Sequence, residues 1–147
     1  MAGSTEKLNL DYQYERKVAD DFRIELPSIY CKQFKIFGIH EFSLGRYPDS
    51  KALALCPNEY WDKWVKEHVM TFSKQITQSY FSKKSSPIYL NQQGKIRIPK
   101  PYRGHFDRQN NEILIFGEGY YLTICSKVYL PNPQEVAAVS PKINSSA

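Results

Sequence analysis

The sequence predicts a mixed α+β protein built from two pseudo-repeated, β-rich halves with an amphipathic helical connector between them. Three observations carry this: a short pattern written twice, apolar residues at helical spacing between the copies, and a composition able to fill one core. The chain has 147 residues, 41% hydrophobic and 24% charged, enough for one compact domain or two very small ones. Its formal net charge of +5 permits a polyanionic partner without requiring one. No apolar run approaches the roughly 20 residues of a membrane-spanning helix. Glu6, Lys7 and Asn9 stand where a signal peptide would carry its apolar core, so a cytoplasmic protein without a membrane partner is expected. Cys31, Cys56 and Cys125 are odd in number and lack a CxxC pair, which indicates neither a disulfide framework nor a zinc site.

From the N-terminus, residues 1–13 are polar and unpatterned and read as a tail. The first copy, residues 14–60, opens the repeat. Arg23-Ile24-Glu25-Leu26-Pro27 matches Lys95-Ile96-Arg97-Ile98-Pro99 at a shift of 72, which also superimposes Tyr30 on Tyr102 and Phe34 on Phe106. With the shift reduced to 69, Leu53-Ala54-Leu55-Cys56 falls on Leu122-Thr123-Ile124-Cys125, and Tyr60 on Tyr129. Alternation makes each five-residue unit a strand with its isoleucines inward, ended by proline. A short helix or turn is expected after each proline (28–34 and 100–106), then β-rich segments around Lys35 to Ile39 and Glu112 to Phe116.

The connector spans residues 61–86. Trp61, Trp64, Val65, Val69, Phe72, Ile76 and Tyr80 fall three and four apart and form one stripe of a helix. Asn58 is the expected N-cap, and Pro87 the stop. The second copy covers 87–130 and carries a hairpin signal, Gly117-Glu118-Gly119 between two apolar runs. Residues 131–147, with Pro131, Pro133 and Pro141 among small polar residues, read as a disordered tail.

Each copy offers too few residues to hold a core alone, so the two halves should pack together as a pseudo-two-fold unit. That symmetry brings the loops before the paired strands, 19–23 and 91–95, to equivalent places. It is expected to gather Arg16, Lys17, Arg23, Lys95 and Arg97 as a reader of phosphates and a groove.

The turn and strand Asn91-Gln92-Gln93-Gly94-Lys95-Ile96-Arg97-Ile98-Pro99 resembles the SpoVT-AbrB swapped-hairpin domain. Two such copies in one chain of this length, joined by a helical linker, resemble the MraZ proteins over about residues 14–130. The resemblance implies two small AbrB-type β barrels with exchanged hairpins. It also implies a bacterial, nucleoid-associated transcriptional regulator of cell-division and cell-wall genes, acting as a ring-shaped homo-oligomer on promoter repeats. Family members carry Asp-x-x-x-Arg in the DNA-contacting loop of each copy. Here the first copy keeps Arg23 but has Ala19 at the Asp position and Phe22 where glycine is usual. The second keeps Gly94 but has Asn91 and Lys95. Lys discriminates bases less sharply than Arg, and a Phe disfavours the positive φ of a glycine turn, so loop one is expected to take a different shape. Arg23 and Lys95 are the first DNA-binding candidates, followed by Arg97, Lys17, Arg16, Asn91, Gln93 and Gly94.

The alternative from another class is an oligomeric interaction protein that keeps the fold without sequence-specific DNA binding; eleven Tyr and eight Phe suit interfaces and small β cores alike. An enzyme is not expected. His40, His68 and His105 share no metal-ligand spacing, and no nucleophile motif or glycine-rich phosphate loop occurs. No cofactor, metal or small-molecule substrate is expected.

Overall fold

The structure, a computed structural model, describes residues 8–47, 50–68, 87–107 and 109–129. Strands β1 (Gln13–Lys17) and β2 (Arg23–Glu25) lead into helix α1 (Ser28–Ile36), then β3 (Glu41–Arg46) and β4 (Leu53–Pro57). A 3-10 turn (Asn58–Tyr60) enters helix α2 (Trp61–His68). Strands β5 (Ile88–Tyr89) and β6 (Lys95–Arg97), a 3-10 segment (Lys100–His105), β7 (Glu112–Gly117) and β8 (Leu122–Ser126) complete the second copy, before a last 3-10 turn (Lys127–Tyr129).

Six strands form one curled antiparallel sheet in the order β1-β7-β8-β4-β3-β5, and β2 pairs with β6 in a separate ladder. The order reads as its own mirror once copies are exchanged: β1 corresponds to β5, β7 to β3, and β8 to β4. At the centre Ala54 faces Thr123, and in the small ladder Ile24 faces Ile96. Each of these pairs joins the same position of the two copies, so a pseudo-two-fold axis passes through both. The outer strands cross over. β1 of the first copy pairs with β7 of the second, and β5 of the second with β3 of the first, so the described parts of the two copies interleave.

Ile24 and Ile96, the inward residues of the ladder, are buried with Leu26, Leu55, Ile98 and Ile124 in the larger core. Tyr30 and Phe34 bring α1 onto it, Phe34 meeting Phe42 edge-on at 4.8 Å. The other face of the sheet is covered by α2, whose Trp61, Trp64 and Val65 pack on Ala54 and Cys56.

Several expectations change. The N-terminal tail cannot extend to residue 13: Leu8 and Leu10 are core residues, Leu10 bridges Gly119, and the Tyr30 hydroxyl donates to the carbonyls of Asp11 (2.6 Å) and Tyr12 (2.9 Å). Lys35 to Ile39 is not a strand. Buried Tyr30 and Phe34, four apart, hold the helix through Ile36; Gly38 at φ +68° ends it, and the strand begins at Glu41. Asn58 is not the N-cap of the 3-10 turn that enters α2: Pro57 occupies that position, and Asn58 Oδ1 accepts a 2.7 Å hydrogen bond from Ser43 Oγ. The hairpin forms as expected between β7 and β8. The connector is helical over Trp61–His68; its continuation through Val69, Phe72, Ile76 and Tyr80 and the tail 131–147 lie outside the described residues.

Candidate nucleic-acid interface

The two loops have one backbone. In the first, Ala19 N–H donates to Arg23 O (2.9 Å) and Phe22 N–H to Ala19 O (2.8 Å). In the second, Asn91 N–H donates to Lys95 O and Gly94 N–H to Asn91 O, both at 3.0 Å. Each loop also supports the other copy: Leu26 N–H donates to Gly94 O, and Ile98 N–H to Phe22 O, both at 2.9 Å. Phe22 therefore does not give loop one a different shape. It adopts φ +63° beside the +77° of Gly94, against the steric preference of a bulky residue. Its ring is held by the Arg103 guanidinium, 4.6 Å from the ring centre, while Arg103 Nε donates to Ile98 O at 3.0 Å.

The side chains inside the loops differ. Asn91 Oδ1 accepts from the backbone N–H of Gln93 and of Lys95, each at 2.9 Å, an Asx turn that pins loop two. Ala19 has no such oxygen. In loop one Asp21 takes over, its Oδ1 accepting from Arg23 N–H at 3.3 Å.

Because Ile24 and Ile96 point into the core, the outward face of the ladder carries Arg23, Glu25, Lys95 and Arg97. Antiparallel register sets Arg23 opposite Arg97 and Glu25 opposite Lys95. The two loops thus flank opposite ends of the ladder, and the ends are chemically unequal. Facing arginines repel, and Asp21 offsets this. Its Oδ2 lies 3.1 Å from Arg23 Nε, and its backbone carbonyl accepts from Arg97 Nε at 3.3 Å. Both partners of the ion pair are about half exposed (51% and 45%), so it stabilises the fold by no more than about 1 kcal/mol. Its effect is orientation. Each guanidinium is tethered through Nε, and among the described residues no hydrogen bond engages the terminal nitrogens of Arg23 or Arg97, the pair that grips phosphate or guanine bidentately.

The other candidates divide. Arg16 and Lys17 leave β1 on opposite faces, so they cannot share one patch. Lys17 faces Glu112 across the strand pair. Arg16 lines a groove with Gln93 and Gly94 of loop two and with Lys32 and Lys35 of α1. Lys32 and Lys35 are residues that sequence reasoning missed, and Asp21, displaced by two places from the Asp position of the signature, was not among its candidates. For Asp21 the signal was its place two residues before Arg23; for the lysines it was tertiary and had no counterpart in the sequence.

Several titratable groups outside the ladder are held in structural contacts. The Nδ1–H of His68 donates to Trp64 O at 3.0 Å, and its Nε2 accepts from the Tyr121 hydroxyl at 2.9 Å. His105 is half-buried, its Nδ1–H bonded to Lys51 O at 2.8 Å, and burial lowers its pKa. Burial pushes Tyr47 up to about 12 and raises Cys56, Tyr121 and Cys125 as well, so none of these is poised as a base or nucleophile at neutral pH. Among the described residues no helix is long and apolar enough to cross a membrane. No protein-family model matches the chain, and a search of curated proteins returns no match.

Proposed function

We propose that the protein binds double-stranded DNA through the outward face of the β2–β6 ladder and its two flanking loops, as a transcriptional regulator similar to the MraZ proteins. The observation that carries this reading is the Arg23–Arg97 pair, tethered by Asp21 with its terminal nitrogens unengaged among the described residues. Arg23 and Arg97 take adjacent phosphates or one phosphate and a guanine edge; Lys95, beside Glu25, adds a weaker phosphate contact. The swapped-hairpin SpoVT-AbrB architecture is part of the same proposal, supported by the exchange of outer strands between copies. So are a ring-shaped homo-oligomer, nucleoid association, and control of cell-division and cell-wall genes through promoter repeats. In the test, duplexes carrying the protein's own promoter repeats and scrambled duplexes are titrated across a salt series. Preference for the repeats with a steep salt slope supports regulation; absence of binding at low salt refutes it.

A second reading, an oligomeric interaction protein without DNA specificity, is favoured by one observation. β1 and β5 are the outer strands of the sheet, and Tyr12 and Tyr89, at the outer strands, are 76% and 58% exposed, the combination that edge-to-edge association uses.

A further inference from the structure

Both copies build a groove between the turn loop and the helical segment that follows the ladder, and among the described residues the one beside loop two is open. Behind loop 19–22 the groove is filled by the Phe22 ring under Arg103. Seventy-two positions on, Phe22 becomes Gly94; seventy-two positions back, Arg103 becomes Cys31. Cys31 Sγ lies 3.2 Å from where a Cβ on residue 94 would stand, and the space the ring and guanidinium take in the first copy stays free. Two contiguous depressions result, about 440 Å³ and 610 Å³, which share Cys31, Lys35, Gln92 and Gly94.

The charge of this groove is its own. Arg16 from β1 and Lys32 and Lys35 from α1 line it against one carboxylate, Glu25. The corresponding positions of the other copy hold Ile88, Gly104 and Asp107, so the cations are no by-product of the repeat. Lys32 and Lys35 are three apart on one helix and neighbours on its surface, and Arg16 approaches from a separate element. Cations converging from two elements on a groove with amide side chains at its rim form a site for phosphate groups.

We infer that the groove between α1 and loop 91–94 binds the phosphate groups of a ligand, with Arg16, Lys32 and Lys35 as the holding residues. This deepens the DNA-binding reading and rests on it only for one source of phosphate, the duplex backbone running off the Glu25–Lys95 end of the ladder. A free phosphorylated molecule is the other source.

Cys31 reports on occupancy. Cys56 and Cys125 are buried whereas Cys31 is half-exposed, so maleimide alkylation of the native full-length protein at mildly alkaline pH reads Cys31. Inorganic pyrophosphate and a DNA duplex are each added at constant ionic strength. A probe at about ten times its Kd slows alkylation about tenfold. K32E/K35E abolishes the slowing with the melting temperature unchanged, and R23A/R97A keeps the slowing by pyrophosphate. Protection by both probes supports the groove as part of the duplex path; protection by pyrophosphate alone supports it as a site for a free phosphorylated ligand; protection by the duplex alone supports a backbone contact. Equal alkylation rates with and without either probe, or protection that survives K32E/K35E, overturn the inference. Duplex binding itself, read by anisotropy, reports separately on the DNA reading.

Discussion

Loop 19–22 and loop 91–94 share a backbone and share almost no side chains. Loop two reaches its conformation in the expected way, with glycine at the left-handed position and an Asx turn from Asn91. Loop one reaches it with Phe22, held by the Arg103 stack and by the backbone bond from Ile98. The difference teaches that the interleaved scaffold dictates the loop geometry, and that each loop is then free to diverge in chemistry. One end of the ladder gained an arginine pair and a plugged groove. The other gained a neutral Glu25–Lys95 pair and an open cationic groove.

The equivalence of the two copies is greatest at the axis. Ile24→Ala and Ile96→Ala should each cost about 2–5 kcal/mol, and by similar amounts, since both side chains occupy the same place in the same core; chemical denaturation checks this, and a large inequality would mean the copies are not equivalent. Next, Gly94→Ala should cost about 1–3 kcal/mol, since φ +77° and the Cys31 contact both oppose a Cβ. Arg103→Ala, which strips the cover from Phe22, should cost about 1 kcal/mol in the same assay, so that the glycine loop is the less tolerant of the two. The smallest effect is on acid stability. Burial lowers the pKa of His105, with the charges of Arg46 and Lys51 adding to it. The folded state therefore resists protonation that the unfolded chain accepts, and this contribution is present above the ordinary histidine pKa of about 6.5 and is lost as pH falls below it. His105→Gln should flatten the decline in melting temperature between neutral and mildly acidic pH.

Much of the scaffold was legible because it repeats. The Pro-terminated strands, the aromatic pair after them and the Gly117–Gly119 hairpin are local patterns, and they gave both the copies and their pairing. What the pattern hid had tertiary causes. Leu8 and Leu10 sit in a polar stretch, and tertiary contacts place them in the core: the bridge of Leu10 to Gly119 and the Tyr30 hydroxyl against Asp11 and Tyr12. The left-handed Phe22 contradicts local preference because its compensation, Arg103, lies far along the chain. The sequence-level ranking of Lys95 beside Arg23 followed the repeat. The antiparallel register instead sets Arg23 against Arg97 and leaves Lys95 facing Glu25, a pairing that no single strand reveals. Lys32 and Lys35 gain a role only when α1 is seen beside loop two.

The central claim, that the arginine end of the ladder is the DNA-reading end, is tested most directly by duplex anisotropy across a salt series for the native protein, Arg97→Ala and Lys95→Ala. The account predicts that Arg97→Ala weakens binding by about 1–3 kcal/mol and reduces preference for the promoter repeats, while Lys95→Ala weakens repeat and scrambled duplexes alike and flattens the salt slope by about one contact. A Lys95→Ala loss equal to or greater than that of Arg97→Ala, with the preference of the Arg97 variant intact, would contradict it.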